Sequence, residues 1–105
     1  MTDRSVELLY VDGCPHWPVV EERVLLALRL TQNPEVVRSR QVSTLAEADE
    51  LGFRGSPTIL MDGDDLFPDL QSPIGLSCRL YETTDRPSGA PTVDQVVAAI
   101  RARLS

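Results

Sequence analysis

The fold of this chain is decided by the stretch Val6-Glu7-Leu8-Leu9-Tyr10-Val11-Asp12-Gly13-Cys14-Pro15-His16-Trp17. Its first half is a short, mostly apolar run, and Asp12-Gly13 is a turn signal, so a largely buried strand is predicted to end there. Apolar residues recur at helical spacing from Pro18 to Thr31, which predicts a helix directly afterwards. Cys14 is therefore predicted to lie at the junction between a buried strand and a helix.

Further elements follow outward from this stretch. The first helix is expected to stop at Asn33-Pro34, because the residue before a proline disfavours helical angles. Thr44 with Glu47, and Thr92 with Gln95, have the spacing of capping boxes, and Gly52 is a plausible C-terminal stop. In order, the predicted elements are a strand over residues 35–42, a helix over 44–52, a strand over 58–61, an acidic loop over 62–75, a strand over 76–81, a loop over 82–91 and a helix over 92–104.

This order, strand-helix-strand-helix-strand-strand-helix, predicts the fold class. Alternation in the first half implies parallel pairing through a right-handed crossover, and two successive strands in the second half imply an antiparallel hairpin. At 105 residues the chain fits one domain. The prediction is a single α/β domain over residues 1–105, with a central mixed four-stranded sheet flanked by helices.

Composition excludes several classes of function. The net charge is −6, the chain has no lysine, and its ten arginines are dispersed. This argues against a nucleic-acid partner and against an anionic membrane surface, since both are bound through clustered cationic side chains. No run approaches the roughly 20 apolar residues of a membrane helix, and no secretory signal is recognised. We therefore expect a cytoplasmic protein with reduced thiols; the sequence leaves its oligomeric state open.

Two short motifs in this order of elements resemble the thioredoxin-like superfamily. Cys14-Pro15-His16-Trp17 is similar to the Cys-x-x-Cys site of thioredoxin-like oxidoreductases, and its Cys-Pro-His portion matches periplasmic disulfide oxidases. Gly55-Ser56-Pro57-Thr58 is similar to the cis-proline loop, which in that family lies against the active-site cysteine. The resemblance implies a thioredoxin-like fold and a cis peptide before Pro57. Trp17 takes the place of the second cysteine, so two-cysteine exchange within the motif is excluded.

The resemblance also implies roles for individual side chains. Cys14 is the expected nucleophile, because a helix N-terminus or a protonated imidazole nearby stabilises a thiolate. His16, the sole histidine, would support that thiolate or move a proton. Trp17 is expected to form a hydrophobic wall, while Ser56 and Pro57 shape the site and offer an extended edge to a thiol-bearing substrate. The structural alternative for Cys14 is an inert buried cysteine.

Cys78 has two roles open to it. It follows Cys14 by 64 positions, inside the predicted strand 76–81. In a standard thioredoxin layout this last strand is two strands removed from the one before Cys14, whereas a disulfide needs Cα atoms within about 7 Å. The long loop 62–75 provides a way to bring the start of the strand closer. Cys78 is thus either a second thiol of the site or a buried structural cysteine.

Three functions remain open at this point. The leading one is a small monothiol oxidoreductase, in which Cys14 attacks a disulfide, peroxide or electrophile of a small molecule or protein. One alternative is a non-catalytic adaptor that binds a partner through a Trp17–Pro57 surface. The other is a weaker resemblance to small proteins labelled alkylmercury lyase-like, with Cys14 and Cys78 as thiolates and Asp12 as the acid. No cofactor or resident metal is predicted, and the acidic turn at 62–65 lacks the calcium-loop pattern.

Overall fold

The computed structural model describes residues 6–32, 37–68, 73–83 and 86–104. The predicted helix stop at Asn33-Pro34, the first residues of the predicted strand 35–42 and part of the predicted loop 62–75 lie outside these ranges. Within them the elements are β1 (Val6–Tyr10), α1 (Trp17–Leu30), β2 (Val37–Gln41), α2 (Leu45–Leu51), β3 (Arg54–Ser56), β4 (Thr58–Met61), β5 (Asp64–Asp65), β6 (Gly75–Cys78) and α3 (Val93–Leu104).

A mixed four-stranded sheet forms the centre, with strand order β2-β1-β4-β5. β1 pairs in parallel with β2, and α1 provides the connection between them. On its other side β1 pairs antiparallel with β4, which places Leu8 opposite Ile59. The Cα radius of gyration is 13.0 Å, close to the value of about 13 Å for a compact domain of 100 residues. The predicted α/β class and mixed central sheet are therefore confirmed.

Alternation along β1 places helices on both faces of this sheet. Val6 and Leu8 point to one face, where α1 and α3 pack against each other, and Leu9 points to the other face, toward α2. The first core consists of Val6, Leu8, Val20, Val24, Ala27, Leu28, Ile59, Met61, Ala90, Val96 and Ile100. The second consists of Leu9, Val42, Ala48, Phe53 and Leu60.

Local capping signals fix the helix ends as predicted. The Glu47 N–H donates to Thr44 Oγ1 at 3.1 Å, and Thr92 and Gln95 exchange two bonds of 2.8 and 3.1 Å. Gly52 ends α2 in the left-handed conformation, with φ of 66°. The first helix differs by one residue at its start, since it begins at Trp17, with His16 as its N-cap residue, rather than at Pro18.

The fourth strand of the sheet is not the predicted one. Asp62 and Gly63 have φ of 54° and 86°, the positive pair that a tight hairpin requires, and they return the chain as β5. The predicted loop 62–75 therefore contains a strand. The predicted strand 76–81 forms no hairpin with β4; instead β6, over residues 75–78, pairs in parallel with β3 as a separate two-stranded sheet.

A buried ion pair connects β5 to the chain after β6. Arg79, whose side chain is only 4% exposed, donates to Asp65 Oδ2 at 2.8 Å. The same guanidinium donates to Thr58 Oγ1 at 3.3 Å and to the carbonyl of Phe67, and it lies 4.7 Å above the ring of Tyr81. Asp65 is consequently half-buried, although it belongs to the predicted acidic loop.

Asp65→Asn should lower the free energy of unfolding by about 2 kcal/mol, because it leaves the buried Arg79 charge without its counter-charge. The matched control is Asp64→Asn on the same strand, which removes an ion pair to Arg103; the Asp64 side chain is 65% exposed. Exposed pairs contribute up to roughly 1 kcal/mol, so the control should lose less. Urea unfolding of the two variants measures both effects, and equal losses would contradict the assignment.

Candidate functional site

Cys14 lies in the turn that joins β1 to α1. Its backbone N–H donates to the carbonyl of Val11 at 3.2 Å, and Gly13 takes a φ of 78° within this turn. The residue is 6% exposed, and its thiol is free. Cys14 thus stands at the strand–helix junction where it was predicted, two residues before the N-cap of α1.

The loop before β4 lies against the end of β1. Ser56 Oγ accepts a hydrogen bond of 3.1 Å from the N–H of Val11, the residue to which the Cys14 N–H is itself bonded. Ser56 is fully buried, and the Ser56–Pro57 peptide is cis, as the resemblance implied. The structure therefore brings the Ser56–Pro57 loop next to the segment that ends in Cys14.

Tyr81 adds a phenol to this place. Its hydroxyl is buried and donates to the carbonyl of Pro57. Burial raises the pKa of Tyr81, the positive charge of Arg79 opposes this, and the negative charges of Asp65 and of a Cys14 thiolate raise it further. The Tyr81 hydroxyl therefore contacts the Ser56–Pro57 loop directly.

The segment 75–81 occupies the backbone edge of this loop. The N–H of Gly75 donates to the carbonyl of Phe53 at 3.1 Å, and the N–H of Arg79 donates to the carbonyl of Ser56 at 2.8 Å. Gly55 permits this approach, because an ideal Cβ there would lie 2.8 Å from the Arg79 Cβ. The Ser56 and Pro57 carbonyls, where an extended edge was expected for a substrate, thus already accept bonds from Arg79 and Tyr81.

Cys78 is carried to the same edge by β6. It is the strand partner of Ser56, and its side chain is exposed. The sequence placed Cys78 on the last strand of the central sheet, two strands away from β1. That placement was wrong, because the hairpin at Asp62-Gly63 supplies the last strand and frees β6 to pair with β3.

His16 is held by a glycine from the far end of the chain. An ideal Cβ on Gly89 would lie 2.5 Å from both Cγ and Nε2 of the His16 ring, so the imidazole occupies the space that a side chain at Gly89 would take. The loop around Gly89 is in turn fixed by the Tyr81–Ser88 bridge and by a 2.8 Å bond from Arg23 to the Pro91 carbonyl. The position of the imidazole therefore depends on this loop.

Trp17 packs across the strand–helix junction. Its ring stacks on Tyr10 with centroids 4.4 Å apart and planes inclined by 16°, and it also contacts the core between the sheet and α1. One face of the indole is thus covered by Tyr10. Asp12, the acid of the alkylmercury lyase-like alternative, is exposed in the turn before Cys14.

Three residues of the site were missed from the sequence: Arg79, Tyr81 and Gly89. Arg79 and Tyr81 are two apart in an extended segment, a spacing that places both side chains on one face, and this was the available signal. Gly89 carried no such signal, because its glycine is required by a ring that is distant in sequence.

Among residues 6–32, 37–68, 73–83 and 86–104, no three His, Cys, Asp or Glu side chains are grouped so that they could hold a metal ion. None of the helices in these ranges is long and apolar enough to cross a membrane. Comparison of the chain with protein-family models, curated proteins and solved structures gave no match.

Tyr81→Phe should lower the free energy of unfolding by about 1–2 kcal/mol at neutral pH, because the buried Pro57 carbonyl loses its donor. The wild type should also lose stability above pH 10, since the unfolded chain releases the tyrosine proton at about 10 while the folded chain retains it. That part of the alkaline loss should vanish in the variant. Urea unfolding between pH 7 and 11 tests this; Tyr10→Phe is the matched control at neutral pH, and an unchanged alkaline slope would contradict the prediction.

Gly89→Ala should displace the His16 imidazole, because the new methyl group occupies the position of the ring. The chain has a single histidine, so its imidazole NMR signals report the change without ambiguity. Gly75→Ala is the matched control, since a Cβ there meets no atom within 4 Å. Imidazole shifts that stay at their wild-type values in Gly89→Ala would refute the contact.

Proposed function

We propose that this chain is a small thioredoxin-like protein that performs thiol–disulfide chemistry through Cys14. The order β2-β1-β4-β5, with β2 parallel and β4 antiparallel to β1, supports the resemblance in fold. So does the placement of α1 and α3 on one face of the sheet and α2 on the other. The observation that carries the proposal is the position of Cys14 beside the Ser56–Pro57 loop, joined through the Val11–Ser56 hydrogen bond.

The reaction consists of one sulfur exchange at Cys14. Its thiolate attacks one sulfur of a disulfide substrate and forms a new S–S bond, while the other sulfur leaves as a thiolate and takes up a proton from solvent. The product is a mixed disulfide on the protein. Trp17, the first residue of α1, packs on Tyr10 at the position where a Cys-x-x-Cys motif has its second cysteine. The motif therefore contains no second thiol that could attack the mixed disulfide.

His16 is the general acid–base group of this proposal. It is the N-cap residue of α1, two positions after Cys14, and Gly89 fixes the location of its ring. A protonated imidazole near a cysteine favours the thiolate, and a neutral one accepts a proton. Both actions serve the first step, in which the thiol of Cys14 is deprotonated before the attack.

The variant Cys78→Ser, which leaves Cys14 as the sole thiol, isolates the proposed reaction. With bis(2-hydroxyethyl) disulfide at neutral pH, the folded protein should form the mixed disulfide several-fold faster than the same chain unfolded in urea, because the site activates the thiol. Intact-mass spectrometry follows the adduct. An inert buried cysteine gives the opposite order, slower when folded, and this result would reject the function. Cys14→Ser, in which Cys78 alone remains, measures the background of an exposed thiol.

A further inference from the structure

We infer that Cys78 is the resolving thiol for Cys14, and that the substrate is a low-molecular-weight disulfide rather than an extended polypeptide. The inference rests on the proposed function of Cys14. It assigns the second half of the exchange, which the Cys14-Pro15-His16-Trp17 motif does not supply, to a cysteine on a different sheet. The site is then a dithiol centre whose two thiols are 64 positions apart in sequence.

Ser56 contacts the segments that carry the two cysteines. On one side its Oγ is bonded to Val11, which in turn accepts the bond from the Cys14 N–H. On the other side Ser56 is the β-sheet partner of Cys78, and paired strands are about 4.8 Å apart. Each cysteine is therefore attached to the same buried residue by a short backbone path. Both cysteines are free thiols.

The two thiols also differ in a way that suits sequential action. Cys14 is 6% exposed in a turn, whereas Cys78 is exposed on β6, where Leu76 and Ser77 are exposed as well. β6 is short and belongs to a two-stranded sheet, so the Cys78 side chain is less constrained than the Cys14 side chain. Closing the S–S bond requires the Cα atoms of Cys14 and Cys78 to come within about 7 Å of each other.

Occupation of the loop edge defines the class of substrate. An extended polypeptide would pair with the backbone of residues 53–57, but the carbonyls of Phe53, Ser56 and Pro57 already accept bonds from Gly75, Arg79 and Tyr81. Pairing would have to displace the segment that carries Cys78. A small disulfide needs no backbone partner, only access of one sulfur atom to Cys14.

The complete reaction consists of two thiol–disulfide exchange steps. The Cys14 thiolate attacks the disulfide R–S–S–R, giving Cys14–S–S–R and one RS⁻, which is protonated to RSH. The Cys78 thiolate then attacks the Cys14 sulfur, which forms the Cys14–Cys78 S–S bond, breaks the S–S bond between Cys14 and the substrate sulfur and releases a second RS⁻, which takes up a proton from solvent to give RSH. The protein dithiol is oxidised by two electrons and the small disulfide is reduced to two thiols. The second step is intramolecular and is therefore faster than attack by a dilute external thiol.

Reaction of the reduced full-length chain with bis(2-hydroxyethyl) disulfide, followed by intact-mass spectrometry, tests this assignment. The wild type should end as a monomer that has lost two hydrogen atoms and carries no adduct. Cys78→Ser and Cys78→Ala should instead accumulate the Cys14 mixed disulfide, and Cys14→Ser should not cyclise. Peptide mapping of the oxidised wild type should recover Cys14 and Cys78 in one cross-linked peptide.

An exposed thiol placed elsewhere on the chain is the matched control. In Cys78→Ser combined with Ser39→Cys, the second thiol lies exposed on β2, on the other side of β1 from β4, so the adduct on Cys14 should persist. A wild type that retains one or two adducts, or forms intermolecular dimers, overturns the role of Cys78 while the function of Cys14 stands. Failure of Cys78→Ser to form any adduct overturns the proposed function itself.

Discussion

Ser56 joins three segments of the chain that are distant in sequence, and the candidate site depends on it. Its Oγ accepts from Val11 at the end of β1, its carbonyl accepts from Arg79, and its strand partner is Cys78. Because Ser56 is fully buried, solvent cannot replace these hydrogen bonds, and leaving one of the polar atoms without a partner would lower the free energy of unfolding. The hydrogen bonds therefore fix the turn that carries Cys14 relative to β6.

Most of the fold follows from local signals that can be read along the chain. The capping boxes at Thr44 and Thr92 and the left-handed Gly52 depend on residues three to eight positions apart, so spacing alone reveals them. β5 was not predicted from the sequence, because it consists of two aspartates, and aspartate is disfavoured in strands. Both aspartates nevertheless form ion pairs, Asp65 with the buried Arg79 and Asp64 with Arg103. Partners from other elements, rather than intrinsic propensity, hold this strand in the sheet.

The site divides along the same line between local and distant information. Cys14, His16 and Trp17 could be proposed as site residues because they are close together in sequence at a strand–helix junction. Tyr81 and Gly89 could not, because their roles arise only once β6 pairs with β3 and the following loop returns to His16. Parallel pairing of two short strands leaves no turn signature comparable to Asp62-Gly63. The predicted placement of Cys78 on the central sheet was wrong for the same reason.

Trp17 stands at the position where a Cys-x-x-Cys motif has its second cysteine. Its ring bridges β1 and α1 by stacking on Tyr10, and it packs, partly buried, against the core between the sheet and α1. A cysteine at this position would lose the aromatic stack and most of this contact. The junction therefore uses the position for packing. Cys78 is the chain's other cysteine, and β6 holds it opposite Ser56, beside the loop that faces Cys14.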